Sequence, residues 1–90
     1  MNEKTQNKIS KMDAVITKME DLENSQQSLI GKIGQIEVDL FEIQSPDLDK
    51  ELAKVIDRAS ETLDIIIEAK NNFMEKRDAI IKKNAPPKEF

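Results

Sequence analysis

Asp47, Asp49 and Glu51 stand at alternate positions and imitate the D-x-D-x-E opening of a calcium loop, in which carboxylate oxygens coordinate a hard cation. The rest of that pattern is missing. The sixth position, where the loop needs glycine for its sharp turn, is Leu52, and the twelfth, which should supply a bidentate carboxylate, is Arg58. The three acids are better explained by the helix they open, since carboxylates are stabilised at the positive end of a helix dipole. A second charged set, Lys4, Lys8, Lys11, Lys76, Arg77, Lys82, Lys83 and Lys88, has the chemistry of a phosphate grip. A net charge of −4, the lack of Tyr and Trp for base stacking, and the lack of a helix-turn-helix spacing argue against nucleic acid as the partner.

The chain has no His, Cys, Tyr or Trp, which removes the side chains from which most catalytic and metal sites are built. A general base working near neutral pH is most often His, and the alternatives, Asp, Glu or Lys, must be shifted by deep burial. Ninety residues, 38% of them hydrophobic, offer little depth for that. The expectation is a non-enzymatic protein with no metal, cofactor or small-molecule substrate. Without cysteine there is no disulfide framework to imply secretion. Met1 to Met12 is polar, and apolar runs reach only three residues, as at Ile65, Ile66 and Ile67, so neither a signal peptide nor membrane insertion is expected. This favours a cytoplasmic setting and leaves signal-independent export open.

The elements that position these residues follow from periodicity. With 36% charged residues, 2 Gly, 3 Pro and 12 spaced Ile, the composition points to long helices. Ile9, Met12, Ile16 and Met19 alternate steps of three and four, as do Leu22, Gln26, Leu29, Ile33, Ile36, Leu40 and Ile43. These read as two coiled-coil registers joined by a three-residue slip between Met19 and Leu22, the spacing of a stammer. The first helix should end near Ile43 or Gln44, because Ser45, Pro46, Asp47 and Asp49 form a helix start. The second carries Leu52, Ile56, Ala59, Leu63, Ile66, Lys70, Phe73, Arg77 and Ile80 at seam spacing and stops at Asn84, before Pro86 and Pro87.

A kinked single rod is disfavoured, because extending the second seam backwards reaches Glu42 and Ser45 instead of apolar residues. The predicted fold is therefore all-α, an antiparallel two-helix hairpin, coiled-coil-like, with helix 1 over 1–44, helix 2 over 45–84, a flexible tail over 85–90 and a weak point in helix 1 at 23–34. At about 1.5 Å per residue each arm is roughly 60 Å long. The competing arrangement is three helices, with helix 1 broken between Glu23 and Gly34.

Ile33, Ile36, Leu40, Ile56, Leu63, Ile66, Phe73 and Ile80 are the expected interface, with Gln26, Lys70 and Arg77 fixing register at some cost in stability. Ile30, Phe41, Val55, Ile67 and Met74 widen the apolar stripes beyond what one hairpin seam buries. A second copy, completing a four-helix bundle, or another protein would cover the excess. Gly31, Gly34, Val38 and Phe41 form a candidate second face, for which a weak spot in the helix is the alternative account. Charge is segregated: residues 1–18 carry four bases and two acids, 19–68 four and thirteen, and 69–90 six and three. In a hairpin the open end is then basic and the bend acidic. The tail, Ala85 to Phe90, could serve as a short docking peptide or be a frayed end.

Ser45, Pro46, Asp47, Leu48, Leu52 and Ala53 at the bend, with Asp78, Ala79, Ile80 and Ile81 near the C-terminus, resemble the needle subunits of type III secretion systems. The regular heptads of helix 1 and the charged, proline-containing tail depart from that pattern. The resemblance implies a self-assembling filament subunit. From the residues themselves, the leading expectation is a protein–protein interaction module, a small assembly factor, chaperone or adaptor acting through an apolar helix face; a small inhibitor or regulator of another protein is a further alternative.

Overall fold

The computed structural model describes residues 2–84 and shows two α-helices, α1 (Glu3–Ile43) and α2 (Pro46–Asn84), packed side by side as an antiparallel hairpin of 67 × 21 × 19 Å. There is no strand among the described residues. The tail from Ala85 to Phe90 lies outside them.

Each helix end has an identifiable local cause. Asn2 caps α1, its Oδ1 accepting a hydrogen bond from the Thr5 N–H at 2.8 Å, which satisfies one of the orphan donors of the first turn. At the other end Gln44 takes φ 53° and ψ 98°, and its N–H reaches back to the Leu40 carbonyl at 2.8 Å. A positive φ is uncommon for a residue with a side chain, and it is what turns the chain out of α1 in a single step. The Ser45 carbonyl then accepts from the Asp49 N–H at 2.9 Å, and Pro46 opens α2 where no donor is needed. A two-residue connection leaves the arms no choice but to lie against each other.

α1 runs unbroken through Gly31 and Gly34, so the three-helix alternative does not arise. Neither glycine has a positive φ, and a Cβ built at either meets nothing within 4 Å. Gly31→Ala and Gly34→Ala should therefore each stabilise the monomeric hairpin by about 1 kcal/mol through helix propensity alone. Urea denaturation of each variant checks this, and an unchanged or lowered midpoint would show that the backbone there needs glycine.

On α2, Ala59 and Ile66 are buried and Leu52, Ile56, Leu63, Lys70, Phe73, Arg77 and Ile80 are half-buried, an alternation of four and three, with Ser60, Ile67 and Met74 half-buried beside it. The pattern on α1 differs from the expectation. Burial follows Ile9, Met12, Ile16, Met19, Glu23, Gln26, Ile30, Ile33, Glu37 and Leu40, one alternation with no slip. The predicted stammer between Met19 and Leu22 is absent, and Ile36, expected in the seam, is 43% exposed. The physical reason lies in the partner helix. α2 keeps one phase throughout, so a slip in α1 alone would unpair the rest of the seam. An uninterrupted α1 also brings Glu23 to the half-buried Lys70, which would otherwise lack an anion.

The core is small. Among the described residues only Met12, Ile16, Ile33, Ala59 and Ile66 are buried, and the chain exposes 7386 Å², against about 5,400 Å² for a compact monomer of 10.3 kDa. Two helices have one seam to share, and most of their circumference stays outside it.

Candidate functional site

The continuous register leaves a column of apolar residues beside the seam. Val15, Leu22, Leu29, Ile36 and Ile43 recur every seven residues on α1, each at least 43% exposed. Across the seam, Leu48 and Val55 are 39% and 44% exposed, and the exposed Thr62 and Ala69 continue the same heptad position on α2. In an antiparallel pair the two columns flank one side of the seam, because equivalent heptad positions meet across it. A shallow groove lined by Gln26, Leu29, Val55, Ala59 and Thr62, and also by Lys54 and Arg58, shows them facing the same side, and at the open end Val15 lines a groove with Met12, Phe73 and basic residues that include Lys8 and Lys11. From Val15 to Ile43 no charged residue interrupts the α1 column, nor does one interrupt that of α2 from Leu48 to Ala69.

Sequence reasoning placed four of these residues, Leu22, Leu29, Ile36 and Ile43, in the hairpin seam and left Val15 out. A signal for the column was present in the seven-residue spacing that starts at Val15. It was hidden because Gln26, Ile33 and Leu40 belong to both alternative registers, so the apolar column next to them looked like the seam's other half. Of the eight expected interface residues, Ile33 and Ile66 are buried, Leu40, Ile56, Leu63, Phe73 and Ile80 are half-buried between the helices, and Ile36 is outside.

Polar contacts lock the two helices at this register. The Gln26 Nε2 donates to the Ala59 carbonyl at 2.9 Å, which anchors a polar residue inside the seam. The Lys70 Nζ donates to the Glu23 Oε1 at 2.7 Å with both side chains at most 20% exposed. Nearer the open end Arg77 reaches Asp13 at 2.9 Å across the hairpin and Asp78 at 3.1 Å on its own helix. Donating a hydrogen bond to Asp13 and, next in effect, to Asp78 raises the Arg77 guanidinium above its ordinary pKa.

The candidate second face is only partly assembled. Gly34, Val38 and Phe41 line a groove of about 550 Å³ at the bend, together with Pro46 and Asp49, whereas Gly31 is exposed and takes no part. Gly34 lies beside the seam, half-buried next to Ile33. Phe41 and Val38 are 79% and 61% exposed, but on this side of α1 the equivalent heptad positions are Asp13, Glu20 and Gln27, so the apolar surface is local. Asp47 and Asp49 occupy the first turn of α2, and among the described residues no group of acids is arranged to hold a metal ion. No described helix is long and apolar enough to cross a membrane.

The fold and this face together define a class, a two-helix, coiled-coil-like hairpin with one uncovered apolar side. No protein-family model, curated protein or solved structure matches the chain.

Proposed function

We propose that this chain is a non-enzymatic protein–protein interaction module, a small helical-hairpin assembly factor or adaptor that acts by presenting the face built on Val15, Leu22, Leu29, Ile36 and Ile43 to another helical surface. The observation that carries the reading is the continuity of that column. Single exposed apolar side chains are ordinary, but a contiguous patch running along about 40 Å of helix is characteristic of a surface that a partner covers. The mode is helix against helix: a column repeating every seven residues matches the left-handed supercoil in which another helix packs its own ridges. The polar locks leave the hairpin preformed, so association does not first have to order it.

The test is a triple substitution, Leu22→Gln, Leu29→Gln and Ile36→Gln, in the full chain. These side chains lie outside the seam, so helicity and the cooperative melt should be retained. Tagged wild-type and variant chains are coexpressed with an untagged copy and compared for what copurifies with each. The reading requires loss of the associated chains with the variant, and equal recovery with both would overturn it.

A further inference from the structure

We infer that the occupant of this face is a second copy of the chain, lying antiparallel to the first about a twofold axis near Leu29 and closing the two hairpins into a four-helix bundle. This deepens the interaction-module reading and rests on it. Three observations select the occupant.

The first is symmetry. The column is centred on Leu29, so a perpendicular twofold at that residue sets Val15 of each copy against Ile43 of the other, and Leu22 against Ile36. A face that matches itself in this way meets the requirement of an isologous interface, in which the same patch serves both subunits. The second is area. About 42 Å of column along hairpins 19 to 21 Å across gives a footprint of roughly 800 Å² per copy, the size that stable protein interfaces bury on each partner.

The third is charge. Residues 19–68, which include the bend, carry thirteen acids and four bases, whereas residues 1–18 and 69–90 are each net basic. A parallel pair would set acidic bend against acidic bend. The antiparallel pair moves the two bends apart and sets each level with a stretch in which Lys18, Lys76 and Arg77 are balanced by Asp13, Glu75 and Asp78. Relief of the repulsion between like-charged bends fixes the orientation, while the apolar column supplies the affinity.

The experiment uses the full chain, which contains no cysteine, with single cysteines introduced by Lys32→Cys or Asp47→Cys and spin-labelled. Lys32 is three residues from the proposed axis and Asp47 is close to the bend. At about 1.5 Å per residue the two Asp47 labels should stand more than 20 Å further apart than the two Lys32 labels. Similar separations at both sites would mean a parallel pair and overturn the arrangement. Leu29→Glu, which sets two carboxylates together at the axis, should raise the dimer dissociation constant at least tenfold with helicity unchanged, while Val38→Glu, off the face, should not. If Leu29→Glu loses helicity, Leu22→Gln with Ile36→Gln replaces it with the same expectation, and wild-type affinity in the variant that is folded overturns the inference. A chain that sediments as a monomer at several hundred micromolar also overturns it. Should that monomer still bind other chains through the column, the interaction-module reading survives; loss of column dependence for every association would remove both.

Discussion

Ile66→Asp should abolish the cooperative unfolding of this chain and most of its helicity, while Ile65→Asp, one residue away, should leave both nearly unchanged. Ile66 is 8% exposed and one of five buried side chains among the described residues, whereas Ile65 is 66% exposed. Replacing a buried isoleucine forfeits about 2–5 kcal/mol of transfer and cavity energy, and a carboxylate in its place must be dehydrated or neutralised in addition. A domain of ordinary stability has about 5–15 kcal/mol in total, and one with so small a core belongs near the bottom of that range. Helices of this length seldom persist without packing when their glycines and polar stretches are unfavourable, so the helical signal falls with the hairpin. Circular dichroism against temperature reads the outcome. A folded Ile66→Asp variant beside an unfolded Ile65→Asp variant would mean that the phase assigned to α2 is wrong.

The second large effect lies at the cross-helix ion pair. Glu23→Leu leaves the half-buried Lys70 ammonium without the carboxylate that holds it at 2.7 Å, and should cost about 1–3 kcal/mol. Lys70→Leu strands Glu23 and should cost a similar amount. The double variant, with two leucines filling the same part of the seam, should recover most of the loss, because a partly buried ion pair and an apolar pair of similar volume differ little in net stability. Urea denaturation of the four proteins closes the double-mutant cycle. Additive losses would show that the two side chains do not interact across the seam. By contrast Arg77→Leu should leave the urea midpoint nearly unchanged, since Asp13 and Asp78 are more than half exposed and water replaces the lost contacts.

The ion pair also explains why half of the hairpin was easier to read than the other half. In α2 the apolar and half-buried positions agree from Leu52 to Ile80, even though Lys70 and Arg77 interrupt the column, because no competing apolar column of comparable length runs beside it. In α1 two columns compete from residue 22 onward. Leu22, Leu29, Ile36 and Ile43 are all apolar, whereas Glu23, Ile30 and Glu37 are mostly acidic, so hydrophobicity alone chooses the first. The structure chooses the second. Asn2 as the cap of α1 was likewise passed over, since its effect depends on a single side chain meeting the Thr5 N–H.

The amino-acid sequence by itself determined that the protein is helical, that it turns at Ser45 and Pro46, and how α2 meets its neighbour. These follow from local quantities: backbone propensity, a missing donor at proline, and the period of one helix. Only the tertiary structure decided which side of α1 faces inward and hence which residues remain outside. That choice depends on groups far apart in the chain, the Lys70 ammonium seeking Glu23 and the Gln26 amide seeking the Ala59 carbonyl, and on a seam that cannot slip in one helix while the other runs straight. The apolar column that a partner would cover is what remains after α2 has set the phase of α1.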